Sequence, residues 1–366
     1  MRRRAAALAV PFSAVLLAMT SCASIPEEWK TPAFLQSDAD QKDARLPTVT
    51  GEVGTAPEVD FGDKAPPGEQ LSGLVEKGPG EGALIRQDDL LQVQIVDYQW
   101  TGKGEAEQTQ SSYEAGAPVL LKMEEMSDEL RKDLVNQPVG SRVVFVFPGQ
   151  DPDEAAAMGQ PEPEPGDSVS VVDVEKRYGK GDVVPGKQTT DGGDGLPTSP
   201  DSGPGKPEIT IPEDTDPPKK LETVDLVEGD GPEVAKEQQV VVQYTGARWD
   251  DGKVFDSTWD RGGIPFTFAI GLEQVIKGWD QGLEGKKVGS RVMLVIPEDL
   301  AYGKDAAQTG SPAGTLVFVV DILGAVDSTP PPQAEPEDGA DDAKKGDDEQ
   351  GDDESDDESD EDDGGR

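Results

Sequence analysis

The 366-residue sequence predicts an α+β protein made of two copies of one domain, with disordered linkers and an acidic tail. Three observations predict it. Short motifs recur in order at offsets of 144 to 151 residues, the mark of a duplicated domain. In the second copy, apolar residues alternate along four runs, with one helical period between the second and third. Hydrophobic content is only 34%, against 43 glycines and 31 prolines, so part of the chain cannot bury enough apolar surface to repay its ordering entropy.

Charge and residue usage narrow the chemistry. The chain has 33 basic and 75 acidic residues, a formal charge of −42, no histidine and one cysteine. Without histidine there is no Ser-His-Asp or Cys-His system and no imidazole metal site. The acidic surplus repels phosphate backbones, so nucleic acid is not expected as a partner.

Residues 1–21 read as an export signal. Arg2, Arg3 and Arg4 precede an apolar run from Ala5 to Met19, broken by Pro11 and too short for a spanning helix, which needs about 20 residues. Met19-Thr20-Ser21-Cys22 resembles a bacterial lipoprotein signal, with Met19 where leucine is usual. That resemblance implies cleavage before Cys22 and a diacylglycerol on it, giving a lipid-anchored, extracytoplasmic protein at the cell membrane. The alternative is an ordinary signal peptide and a free secreted protein.

Residues 22–47 are polar and aperiodic, and a disordered linker is expected there. The first copy is expected over 48–178. Clustered Gly, Pro and Asp over 179–205 predict a flexible linker. The second copy is expected over 206–326, and 327–366 as a disordered tail, with 18 acidic against three basic residues from Ser328 onward.

The repeat rests on four matches, one of them Pro66-Pro67 against Pro217-Pro218. Ala56-Pro57-Glu58-Val59-Asp60-Phe61 answers to Lys206-Pro207-Glu208-Ile209-Thr210-Ile211, and Gln99-Trp100-Thr101-Gly102 to Gln243-Tyr244-Thr245-Gly246. The strongest is Val139-Gly140-Ser141-Arg142 against Val288-Gly289-Ser290-Arg291, each followed by an apolar run and a proline.

In the second copy, Val240, Val242 and Tyr244 alternate onto one face, as do Phe266, Phe268 and Ile270, then Val292, Leu294 and Ile296, then Leu316, Phe318, Val320 and Ile322. Val275, Ile276, Trp279 and Leu283 recur at helical spacing, and Gly285 stands where the helix would stop. Nine of the chain's 19 aromatics fall in this copy. An aromatic-lined cavity with few polar groups suits a small apolar ligand or a proline ring.

Val240 to Gly246, Asp251-Gly252-Lys253-Val254-Phe255-Asp256-Ser257, Arg261, Val275-Ile276-Lys277-Gly278-Trp279, Ala301-Tyr302-Gly303 and Thr315-Leu316-Val317-Phe318 together resemble the FKBP-type peptidyl-prolyl cis-trans isomerases, in family order. The resemblance implies two FKBP-like domains, each a twisted antiparallel sheet wrapped around a short helix. It also implies a pocket with Trp279 as floor and Tyr244, Phe255, Phe266 and Phe318 as walls. Val275 and Ile276 would lie at the rim, Ile276 offering its N–H and Tyr302 its hydroxyl to substrate carbonyls. Asp256 would sit beside the reacting amide and could also pair with Arg261.

Two departures from the family pattern matter. Thr309-Gly310-Ser311-Pro312 replaces the usual Ile-Pro pair within 304–314, so one apolar wall is expected to be missing. An extra residue around Gly262-Gly263 alters the approach from Arg261 to Phe266. Modest activity is expected, and macrolide binding is a weaker expectation than catalysis. In the first copy Trp100 is expected in place of Tyr244, Thr109-Gln110 in place of Phe255-Asp256, Leu130 in place of Trp279, and Ser170 in place of Phe318. That copy is expected to be inert.

The function expected is isomerisation of X-Pro bonds in proline-containing clients, assisting the folding of exported proteins, by a monomer that needs no cofactor and no metal. The alternative is a non-catalytic surface lipoprotein that holds extended or unfolded segments.

Overall fold

A computed structural model describes residues 43–79, 83–159, 163–201 and 203–328. The expected signal over 1–21, Cys22 and the expected tail beyond Ser328 lie outside the described residues. Two antiparallel sheets of six strands dominate. The first contains β3 (Leu71–Glu76), β4 (Leu90–Gly102), β5 (Glu105–Ser111), β6 (Val119–Lys122), β7 (Arg142–Phe147) and β8 (Asp167–Tyr178), after a short hairpin of β1 (Thr48–Thr50) and β2 (Glu58–Asp60). The second contains β9 (Glu222–Val227), β10 (Gln239–Arg248), β11 (Val254–Ser257), β12 (Phe266–Ala269), β13 (Arg291–Ile296) and β14 (Leu316–Val326).

The two strand orders are the same. The first sheet runs β3-β7-β8-β4-β5 with β6 also on β4; the second runs β9-β13-β14-β10-β11 with β12 also on β10. Duplicated sequence has produced duplicated topology. In each sheet the long second strand carries a bulge, at Gln92/Val93 and at Val241/Val242. A bulge bends a strand and sharpens its twist. One half of β10 therefore pairs with β12 and the other with β11.

All four alternating runs of the second copy are strands, and the helical period is the helix Lys277–Leu283. Strands β9 and β11 were not anticipated. On the inner face Val242, Val292, Leu294, Phe318 and Val320 pack against Trp279 and Leu283 of that helix. Gly278 permits the approach, because a β-carbon there would lie 2.3 Å from Ile296 Cγ2.

The outer faces are covered too. Met293, Val295, Val317 and Val319 pack beneath Leu196, Ile209 and Ile211, while Val144, Val146, Val169 and Val171 pack beneath Leu46, Val59 and Phe61. The repeated Pro-Glu motif thus marks a strap laid across the back of each sheet. Every residue of β7 and β13 is buried. The repeated Gly-Ser-Arg motif supplies the anchor. Arg142 pairs with Asp173 at 2.5 Å and Arg291 with Asp321 at 2.6 Å, both out of solvent. Arg142 also donates to the carbonyls of Gly51 (2.8 Å) and Thr55 (3.1 Å) in the first strap, and Asp321 accepts from the Val184 N–H (3.3 Å) ahead of the second.

This corrects two boundaries. Leu46 is 4% exposed and belongs to the first body, so the chain is placed before residue 48. The segment 179–205, expected as a flexible linker, lies against the second sheet: Val184 and Ser199 are buried, the Thr189 N–H donates to the Leu226 carbonyl (2.9 Å), and Thr198 bridges to Thr210. Its glycines serve as turns that lay the chain down, with Gly192, Gly193 and Gly195 all at positive φ.

Candidate active site

A cavity of about 510 Å³ opens on the inner face of the second sheet, beside the start of the 277–283 helix. Trp279 is its floor, 3% exposed because the sheet, the helix and other rings cover all but the side facing the cavity. The Tyr244 and Phe318 rings meet the indole edge-on, with centroids at 5.0 and 5.2 Å and interplanar angles of 89° and 90°. Phe255 meets Phe318 in the same way at 5.5 Å, and Phe266 stands 6.4 Å from the indole. Edge-on contacts place positive ring edges against negative ring faces, which holds each ring at a set angle. The Trp279 Nε1 is buried and has no hydrogen-bond partner among the described residues.

One polar group interrupts this wall. The Tyr244 hydroxyl donates to Asp256 Oδ2 (2.5 Å) and accepts from Arg261 Nη2 (2.5 Å), and Arg261 Nε lies 3.4 Å from Asp256 Oδ1. The guanidinium carbon also lies 5.4 Å from the Tyr244 ring centroid. Burial, then the bond to Asp256, raises the Tyr244 pKa, so its phenol stays protonated. At the mouth, Tyr302 is 47% exposed, and its pKa is raised by burial and then by the Asp256 charge. Ile276 is the helix N-cap residue, in extended backbone (φ −63°, ψ 147°), and its N–H has no partner among the described residues.

The cavity brings together nine of the ten residues that the sequence nominates for the pocket: Tyr244, Phe255, Asp256 and Phe266, then Val275, Ile276, Trp279, Tyr302 and Phe318. Arg261 does not line it and stands behind, on Asp256 and Tyr244. Glu273, Gln274, Lys277 and Ala301 also line it and were not nominated. Helical periodicity singles out only the apolar positions of that turn; Ala301 lay within a quoted motif but carries no functional group. None of residues 304–314 lines the cavity, which is the side where an apolar wall was expected to be missing.

The model of the family described as FKBP-type peptidyl-prolyl cis-trans isomerase matches residues 231–323. The chain is 46% identical over 120 residues to an FK506-binding protein of Streptomyces anulatus, covering 32% of this chain and 95% of that relative. The chain belongs to the FKBP family. It is also 38% identical over 120 residues to a probable FK506-binding protein of Corynebacterium glutamicum (33% and 98% covered), and 44% identical over 101 residues to an FK506-binding protein of Neisseria meningitidis serogroup A (27% and 90% covered). The function of FKBP proteins is peptidyl-prolyl isomerisation, and the matched stretch runs from the turn between β9 and β10 into β14.

The first body shares the FKBP sheet order, and its register shows what occupies each site position. Ile95 pairs with Val172 as Tyr244 pairs with Val320, so Ile95 replaces Tyr244. This corrects the expectation for Trp100, which lies on the back face with Phe61, ring centroids 5.0 Å apart. A motif match of four residues aligned it five positions out of register. Gln110 pairs with Asp97 as Asp256 pairs with Gly246, which puts Thr109-Gln110 at Phe255-Asp256. Ser170 stands in for Phe318 and Leu130 is buried in the helix at the floor position. Ser170 Oγ donates to Asp97 Oδ1 (2.6 Å), and burial pushes the Asp97 carboxyl up to about 6. A polar pair thus fills what is an aromatic wall in the second body.

Proposed function

We propose that the second body carries the isomerase activity and that the first does not. The observation that supports this most directly is the set of rings around Trp279, present in one body and replaced by Ile95, Leu130 and Ser170 in the other. A proline ring rests on the indole, with Tyr244, Phe255, Phe266 and Phe318 around it. The carbonyls flanking the X-Pro bond meet the Ile276 N–H and the Tyr302 hydroxyl.

Rotation about the peptide C–N bond faces a barrier of about 18–20 kcal/mol because resonance gives it double-bond character. At X-Pro the isomers differ by only about 0.5–1 kcal/mol, and because they interconvert by torsion alone, no bond breaks and no acid or base need act. Removing water from the amide penalises the planar, more polar ground state more than the twisted one, and each ~1.4 kcal/mol so gained is tenfold in rate. Asp256 is held by Tyr244 and Arg261, so its carboxylate presents a fixed negative field beside the twisting amide.

The clients in this reading are proline-containing segments of exported proteins, met at the outer face of the membrane by a chain anchored through Cys22. The amino-terminal pattern from Arg2 to Cys22 supports that placement. Proline-limited refolding with the full chain and with Trp279→Leu tests the activity. Acceleration by the parent and its loss in the variant are expected; equal, negligible acceleration by both would leave a module that only holds extended chains.

A further inference from the structure

We infer that the first body acts as a positioning element for the site in the second, through a backbone tie from Gly181 to Gly263. This rests on the reading of the second body as the isomerase. The tie begins where β8 ends. Tyr178, 3% exposed, packs with Leu90 of its own sheet and Val241 and Leu323 of the other. It sits over Gly324, where a β-carbon would lie 2.1 Å from the Tyr178 hydroxyl oxygen. Lys176 Nζ adds a bond to the Leu323 carbonyl (3.1 Å).

Three residues on, the Gly181 N–H donates to the Gly263 carbonyl (2.7 Å). That carbonyl also accepts from Nε2 of the fully buried Gln243 (2.6 Å), while the Gly263 N–H donates to the Thr258 carbonyl (2.8 Å). Gly262 and Gly263 both have positive φ, 97° and 80°, a conformation glycine adopts readily and leaves as readily. The glycines leave the path of this loop to its hydrogen bonds, which besides those at Gly263 run from the Arg261 N–H to the Thr258 carbonyl (3.1 Å) and from the Gly262 N–H to the Trp259 carbonyl (3.3 Å). Arg261 stands two residues away, and its guanidinium is what aligns Asp256 and the Tyr244 hydroxyl. Holding Gly263 from both sides holds Arg261. The first body, without pocket chemistry, keeps this role because Tyr178 fixes where Gly181 lies.

The experiment uses the full chain. Tyr178→Ala empties the seat on Gly324, Tyr178→Phe keeps the ring, and Gly324→Ala presses on it from the other side. Each is measured by proline-limited kcat/KM, thermal melting and amide hydrogen exchange at residues 258–263. Tyr178→Ala and Gly324→Ala are expected to speed exchange at Arg261 and Gly263 and to lower kcat/KM about fivefold, the size one net hydrogen bond carries, with Tyr178→Phe near the parent. In an Arg261→Ala background the Tyr178→Ala effect should shrink below about twofold, since the coupling runs through that side chain. Unchanged exchange in both Tyr178→Ala and Gly324→Ala overturns the tie. An activity loss of equal size with and without Arg261 overturns its route. If the parent itself fails to accelerate refolding, the isomerase reading falls while hydrogen exchange still decides the tie.

Discussion

Gly246 and Phe318 are direct partners across β10 and β14, and a β-carbon on Gly246 would lie 2.6 Å from the Phe318 ring and 2.9 Å from that of Phe255. The aromatic wall exists because the strand beneath it has no side chain at this point. In the first body the same pair of positions holds Asp97 and Ser170. Each body has one half of the pair matched to the other half, and exchanging either alone would break the fit.

Gly246→Ala should therefore push Phe318 and Phe255 into the cavity. Overpacking of this kind costs about 1–3 kcal/mol, and at least a tenfold loss of refolding catalysis is expected from a chain that still melts cooperatively. Retained catalysis would show that the ring positions are less critical than the edge-on geometry implies.

Tyr302→Phe removes a hydroxyl and leaves the ring at the mouth. A loss of about three- to tenfold in kcat/KM is expected, the worth of one hydrogen bond to a substrate carbonyl, with no change in melting temperature because the residue is half exposed. Activity equal to the parent would remove Tyr302 from the reaction.

Asp97 gives the first body a pH dependence of its own. Its carboxyl is pushed up to about 6 when folded, so folding takes up a proton between the ordinary carboxylate range and that value. Stability from this group rises as pH falls from about 6 to about 4, the reverse of a salt-bridged aspartate. Asp97→Asn should stabilise the first body at pH 7 by about 1–3 kcal/mol and make no difference near pH 4, as read by chemical denaturation at the two pH values.

The strap anchors can be tested by pairing substitutions. Arg291→Met strands the buried Asp321 carboxylate and should cost about 3–5 kcal/mol, whereas Arg291→Met with Asp321→Leu should recover most of it. Failure of the double variant to recover would mean that the bond from Val184 to Asp321, not the charge pair, holds the chain in place.

Much of the second body was legible because its strands bury one face on a helix, and Val292, Leu294 and Ile296 state that alternation openly. Strand β9 escaped notice because it lies at a sheet edge with only Val224, Leu226 and Val227 apolar. Strand β11 is four residues long and its Phe255-Asp256 reads as a motif before it reads as a strand. The segment 179–205 misled because composition reports chain stiffness, not contact. Its apolar residues, Val183, Val184 and Leu196, are too few to show periodicity, yet Leu196 is placed against the second sheet and Val184 beside its buried aspartate. The nine cavity residues were legible through the family's motifs; Lys277 and Ala301 stood inside those motifs with no role read from them, and Glu273 and Gln274 stood outside, since their side chains signal only an exposed turn.

The sealed backs of the two sheets decide where the second body can be sticky. With Met293, Val295, Val317 and Val319 roofed over, its large apolar side chains left in the open, among the described residues, are Val254, Leu272 and Tyr302. Tyr302 lines the cavity, and the other two each sit one position from a residue that does. Of the three, the one aromatic ring, that of Tyr302, stands at the mouth of the cavity itself, so the most adhesive spot left on this body coincides with its opening.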